Sequence, residues 1–361
     1  MIRLILSPFG FALLVSSSLP LAAQTPETSP SATVVGYRPS VVIDGHVDVV
    51  LRVVDRGFDL GTDGVGTQAD IPKWRRGGVN GVFFSIWVHP ETYRGANAPQ
   101  RAWQLIDGVR AQVKAHPQDL MLCDTAAEIQ RAAVSGKIAA ILGVEGGVAI
   151  NNDLEELRRF RKAGVRYMTL TWRGNLDWAG SSQGSDTTMG LTAFGREVVQ
   201  EMNRLGIVVD LSHTSDQTVR DALAISTKPV IFSHSNARVL ANHPRNVTDD
   251  ILRGVAKNGG LVAVNVVGSF LRPTARGWAL RPGQPTVETV ADQIDHIVRT
   301  AGIDHVGLGT DYEGFIRPVS GLETTAEIPR LWETLLKRGY TKSQVDKIAG
   351  GNFLRVLQAN E

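Results

Sequence analysis

Val41-Val42-Ile43-Asp44-Gly45-His46-Val47-Asp48 is an apolar run that ends by presenting two metal-capable side chains two residues apart. In an extended segment residues i and i+2 point to the same face, so His46 and Asp48 emerge together from the end of one strand. Imidazole nitrogen and carboxylate oxygen both offer lone pairs at neutral pH and suit a divalent cation such as zinc. A single His-x-Asp is more often a hydrogen-bonded polar pair. What raises the metal reading is that several later apolar runs also end in His, Glu or Asp.

Eight runs of this kind occur, at residues 41–48, 81–88, 138–145, 165–172, 207–213, 230–234, 261–266 and 306–311. Most are short, rich in Val, Ile and Leu, and apolar on both faces, as strands of a parallel sheet covered by helices are. Between them lie segments of helical spacing, at 102–115, 154–163, 194–205, 216–225, 249–257 and 287–300. Gly164, Gly206, Gly259 and Gly302 mark the ends of four of these. Eight buried strands alternating with helices predict an α/β fold of the (β/α)8 TIM-barrel type. The competing architecture is an open doubly wound sheet. No Gly-x-Gly-x-x-Gly turn follows an early strand, and polar residues sit at many strand ends rather than at one crevice.

The chain has 361 residues, 43% hydrophobic and 20% charged, with a net charge of +2. This suits a soluble domain with a large core, and with no basic stripe it argues against a nucleic-acid partner. Residues 1–23 read as a secretory signal peptide: Arg3 near the start, a broken apolar stretch, then Leu21-Ala22-Ala23. The apolar run falls short of the roughly 20 residues a membrane span needs. Cleavage near Ala23 is expected to leave a flexible lead-in at 24–40, rich in Pro, Ser and Thr, followed by one barrel domain at 41–361. Cys123 is the only cysteine, so no internal disulfide forms, and the expected thiol is buried and inert. Export without disulfides fits a bacterial periplasm, with no stable membrane anchor after cleavage.

In a barrel, strand ends converge on one mouth. His46, Asp48, Glu145, His213, His234 and Asp311 all stand at such ends, and burying three carboxylates without partners costs several kcal/mol, a cost of roughly that size per ion. A pair of divalent metals offsets it: His46 and Asp48 on one side, His213 and His234 on the other, Glu145 between. The remaining histidines are controls. His116 and His296 fall in helices, His305 precedes its strand and His243 lies in a loop, so each reads as an ordinary surface or packing residue. His89 follows the second strand and is left open. A Schiff-base lysine is disfavoured because Lys137 and Lys228 begin strands, the wrong rim. Ser212 and Ser233 lack a Gly-x-Ser-x-Gly elbow and read as hydrogen-bonding neighbours of the ligand histidines.

The segments Asp44-Gly45-His46-Val47-Asp48, Gly143-Val144-Glu145-Gly146-Gly147, Asp210-Leu211-Ser212-His213, Phe232-Ser233-His234-Ser235 and Gly309-Thr310-Asp311-Tyr312-Glu313-Gly314 resemble the membrane (renal) dipeptidase family, a binuclear zinc branch of the amidohydrolase-type barrels. Gly164-Val165-Arg166-Tyr167, Asn203-Arg204-Leu205-Gly206 and Arg245-Asn246-Val247 follow in the same order. The resemblance implies a metallo-dipeptidase with two Zn2+ per subunit, bridged by Glu145 and a water or hydroxide. His46 and Asp48 would hold one ion and His213 and His234 the other, with Asp311 as the proton-handling acid. It assigns Arg245 to the substrate carboxylate; from the residues alone Arg245 reads as a surface side chain. It also implies a dipeptide substrate and a possible homodimer. Trp172 stands where mammalian members have a substrate-holding histidine, and it can donate one indole N–H but neither ligate nor titrate. Glu313 stands where a shorter acid is frequent. An amidase or lactonase of the same metal-dependent class is the alternative activity, and a barrel without turnover the third.

Overall fold

The structure, a computed structural model, describes Met1 and residues 36–271 and 284–361. The signal segment 1–23 therefore lies outside the described residues apart from Met1, as does most of the lead-in. Nine strands are present among the described residues: β1 (Ile43–Val47), β2 (Gly81–Trp87), β3 (Leu120–Leu122), β4 (Ile138–Glu145), β5 (Val165–Thr169), β6 (Val208–Asp210), β7 (Ile231–Phe232), β8 (Leu261–Val264) and β9 (Val306–Leu308). Eight form a parallel ring in the order β1-β2-β4-β5-β6-β7-β8-β9, and β3 pairs with the outside of β4. This is the (β/α)8 barrel that the alternation of patterns predicts. The extra strand β3 has no counterpart among the eight predicted runs, because three residues are too few to show a period.

The ring closes at the mouth rather than along its length. Val47 bridges Tyr312 in parallel, the Asp48 amide donates to Tyr312 O at 2.8 Å, and the Asp311 amide donates to His46 O at 3.0 Å. Closure therefore passes through His46, Asp48 and Asp311, three of the six residues expected at the mouth.

Helices cover the ring as the spacing predicts. Asp216–Ile225 is helical over the predicted span, while the predicted helix at 102–115 begins earlier, in Asn97–Ala115. Gly206, Gly259 and Gly302 cap helix ends with positive φ.

The barrel interior is plugged by aromatic rings. Phe353, from the C-terminal helix Asn352–Ala359, packs on Phe83 with ring centres 5.7 Å apart. Phe83 packs on Tyr167 at 5.0 Å, and the Tyr167 hydroxyl lies 2.8 Å from His46 Nδ1. Burying each such ring contributes about 1.5–3 kcal/mol. Glycine is required where the column passes: a Cβ on Gly143 would sit 2.2 Å from the Tyr167 ring, and one on Gly45 2.4 Å from Phe353. Both glycines belong to motifs that contain a proposed ligand, so the motif also serves packing.

Candidate metal centre and active site

Parallel register sets the level of the site. Trp87 pairs with Glu145 across β2 and β4, Glu145 with Thr169 across β4 and β5, and Thr169 with Asp210 across β5 and β6. Glu145 ends its strand inside the mouth, 3% exposed. One of its oxygens, Oε2, lies 3.4 Å from His46 Nε2, and the other, Oε1, lies 3.0 Å from His213 Nε2 and 3.6 Å from His234 Nε2. Asp48 Oδ2 is 3.4 Å from His46 Nε2, and the two Nε2 atoms of His213 and His234 are 2.9 Å apart. The carboxylate thus divides its oxygens between two pairs of side chains.

These separations fit divalent ions. At a zinc–nitrogen distance of about 2.0–2.1 Å, tetrahedral ligand atoms lie about 3.3 Å apart. His46, Asp48 and Glu145 form one group, and Glu145, His213 and His234 another, with ligand atoms within 4.8 Å of one another. The same distance gathers Asp311 with His46 and His234. His46 Nε2 is buried without a hydrogen-bond partner.

Outer partners orient two of the imidazoles. Tyr167 donates its hydroxyl to Gly45 O at 3.3 Å, so toward His46 Nδ1 it accepts, and Nε2 faces the carboxylates. Ser233 donates to Asp210 Oδ2 at 2.6 Å and lies 2.8 Å from His234 Nδ1, which leaves His234 Nε2 as the free lone pair. Asp210 Oδ1 further accepts the amides of Ser212 and Ser233 at 3.1 and 2.9 Å. Metal-binding histidines ordinarily have such a partner on the second nitrogen. The serines do what the sequence expects of them. The roles of Tyr167, Asp44 and Asp210 escaped sequence reasoning, although both aspartates precede a ligand by two or three residues.

Burial governs the charges. It pulls His213 down to about 3, with the Arg245 charge adding to the effect, and pulls His234 well below the ordinary range, helped by His46 and Arg245. Both imidazoles are neutral near pH 7. Burial also lowers His46, but Tyr167, Glu145 and Asp48 outweigh it and hold the group well above the usual value. Asp311 is pushed well above the carboxylate range by burial and by Asp48. Asp44, raised to about 6 by burial, accepts Thr310 N and Oγ1 at 2.8 and 2.6 Å and so ties β1 to the Asp311 loop.

Backbone strain is concentrated here. His213, Asp311, Glu313 and Phe315 have φ of 69°, 66°, 68° and 58°, a region that costs non-glycine residues of order 1–3 kcal/mol. His213 is held there through its carbonyl, which accepts Ser182 N at 2.7 Å and Ser181 Oγ at 3.1 Å from the loop after β5. Glu313 is fastened by Arg52 and by Gln68, whose amide it accepts at 2.5 Å.

Arg245 is 3% exposed, contrary to the surface reading of its sequence context. Its guanidinium lies over Phe270 at 5.6 Å, Nη2 donates to His234 O at 3.4 Å, and Nε is buried without a partner. With Trp172 and four of the six converging residues, Asp48, Glu145, His213 and Asp311, it lines a cleft of about 80 Å3. Burial lowers Arg245 to about 10, so it stays cationic at neutral pH. Trp172 walls the cleft, 4.8 Å from the Trp87 ring and beneath the Arg173 guanidinium.

Three of the control histidines stand apart, while His243 accepts the Arg245 amide at Nδ1 at 3.1 Å and so backs the cleft. His296 binds Asp249 at 2.8 Å and His305 binds Gly260 O at 2.7 Å at the far rim. His116, one residue past its helix, binds Asp59 at 2.5 Å. His243 stacks on Phe270 at 4.4 Å. Cys123 is buried, its thiol pushed up to about 12 by desolvation.

Residues 37–361 match the membrane dipeptidase family, peptidase family M19, as a whole. The chain belongs to that family. It is a metal-dependent hydrolase of the dipeptidase class. Among solved structures it is similar to the probable dipeptidase PvdM from Pseudomonas aeruginosa, at 25% identity and a TM-score of 0.81, covering 89% of this chain and 95% of that one. A metallopeptidase from Rhodobacter sphaeroides, liganded with a phosphinate mimic of the dipeptide L-Ala-D-Ala, shares 28% identity at a TM-score of 0.81 over 90% and 100% of the two chains. Dipeptidase AC, a metallopeptidase, shares 29% identity at a TM-score of 0.80 over 89% and 98%. Among the described residues of the dipeptidase no helix is long and apolar enough to cross a membrane.

Proposed function

We propose that this family member hydrolyses dipeptides with two zinc ions, His46 and Asp48 binding one, His213 and His234 the other, and Glu145 both. The observation that carries the reading is the division of the Glu145 oxygens between the two pairs. Bound zinc would polarise the scissile carbonyl and lower the pKa of a water from about 15.7 toward roughly 7.

The side chains supply the rest. Asp311, raised in pKa by burial, can take a proton at its carboxylate and pass it to the departing amine. Arg245, a cation lining the cleft without a carboxylate partner among the described residues, is suited to hold the substrate's free carboxylate. Trp172 and Trp87, packed edge to face, give the peptide an apolar wall that excludes water. The dipeptide mimic bound by the Rhodobacter sphaeroides relative supports this substrate class. Export to a periplasm after cleavage near Ala23, and a possible homodimer, belong to the same proposal.

Metal analysis of the purified protein, with turnover measured on dipeptides, acylated amino acids and lactones, tests it. About two zinc per chain and turnover confined to dipeptides are expected. Preference for the acylated amino acids or lactones would favour the amidase or lactonase reading instead. Asp311→Asn is expected to abolish turnover with zinc retained; loss of zinc would make Asp311 a ligand.

A further inference from the structure

Beside the metal cleft lies a second and larger cavity, of about 400 Å3, within the range of ligand-binding pockets. Trp87, Phe315 and Ile316 line both spaces, so these three side chains form the partition between them. Phe315 is an unusual partition. The residue is 71% exposed and its backbone is left-handed, two unfavourable features in one apolar residue. It faces the Trp87 ring at 6.1 Å.

The hydrogen-bonding groups of this chamber are unevenly used. Arg101 is engaged by Asp55 through two contacts of 2.7 and 2.6 Å, and Arg52 by Glu313. Arg56 has no carboxylate partner among the described residues, and it lines the chamber. His89 Nδ1 lies 3.3 Å from the Glu91 and Thr92 amides, which can only donate, so its hydrogen resides on Nε2. Two N–H donors, the Arg56 guanidinium and His89 Nε2, therefore border the chamber with no acceptor of their own among the described residues. His89 is the histidine that its sequence position leaves open.

Ring topology says which part of a substrate would reach them. The chamber is built on the segments following β1, β2 and β9, whereas Arg245 follows β7, directly across the eight-stranded ring from β2. A dipeptide whose carboxylate rests on Arg245 and whose peptide bond crosses the metal ligands points its first residue toward Trp87 and Phe315. We propose that the chamber receives the side chain of that first residue and favours a long one ending in a carboxylate, as in an N-terminal glutamate. The inference rests on the dipeptidase reading and on the orientation assigned to Arg245.

The test compares kcat/KM for Glu-Ala, Leu-Ala and Ala-Ala in the metal-loaded wild type, Arg56→Gln and Phe315→Ala. Glu-Ala is expected to exceed Ala-Ala by about tenfold, the size of one charge-assisted hydrogen bond. Arg56→Gln should remove most of that preference and leave Ala-Ala turnover unchanged, and Phe315→Ala should raise turnover of Leu-Ala relative to Ala-Ala by opening the partition. Equal rates on Glu-Ala and Ala-Ala in the wild type, or an Arg56→Gln variant that loses both alike, would overturn the chamber while the dipeptidase reading survives. No turnover of any of the three would overturn that reading and this inference together.

Discussion

The two halves of the candidate metal centre are built from different materials. On the β1 side His46 faces two carboxylates, from Asp48 and Glu145, and its second nitrogen meets a tyrosine hydroxyl. On the β6–β7 side two neutral imidazoles face one carboxylate oxygen, and Ser233 and Asp210 form the backing. The first half carries two carboxylates that, with Tyr167, hold His46 well above its usual range against the opposing effect of burial; in the second, burial and Arg245 depress both histidines. A shared ligand set can thus place two ions in unequal fields. An ion held on the β1 side would neutralise more charge, and a proton would compete with it directly.

The largest expected effect comes from the residue common to both halves. Glu145→Gln should cut turnover by roughly 10³-fold or more and lower zinc at both positions, measured by elemental analysis. Loss of only one zinc would show that the halves are independent. The next test separates them by their outer partners: Tyr167→Phe and Ser233→Ala should each weaken zinc by about 10–100-fold, the usual result of removing such a partner. Competition titration with a chelator should show Tyr167→Phe acting on the tighter or the weaker ion and Ser233→Ala on the other; both variants weakening the same ion would undo the comparison. The smallest effect concerns substrate. Arg245→Ala should raise KM for substrates with a free carboxylate by about tenfold, with kcat less affected. A changed kcat at constant KM would instead tie Arg245 to the neutral state of His213 and His234.

How far the site was legible depended on whether a residue's role is local. His46, Asp48, Glu145, His213, His234 and Asp311 were visible because each follows an apolar run by zero to three residues, and a barrel brings such positions together. Arg245 was not, because nothing in its neighbourhood of polar loop residues tells of Phe270 and His234 above and beside it. The Asp210–Ser233–His234 chain was only half visible: a serine beside each ligand histidine could be anticipated, but the carboxylate behind Ser233 comes from the neighbouring strand. Strand β3 and the strained backbone at His213, Asp311, Glu313 and Phe315 left no local pattern to read.

By itself the sequence determined the eightfold alternation, the rim on which the chemistry sits and the kinds of ligand atom available, since periodicity and side-chain chemistry are properties of short segments. Only the tertiary structure decided which oxygen of Glu145 faces which histidines, that Arg245 is buried opposite β2, and that loops from β1, β2 and β9 enclose a second chamber. Those facts depend on ring closure and strand register, which bring together residues hundreds of positions apart, such as Glu313 with Arg52 and Thr310 with Asp44. No local propensity encodes such distances, because they exist only once every strand has found its neighbours.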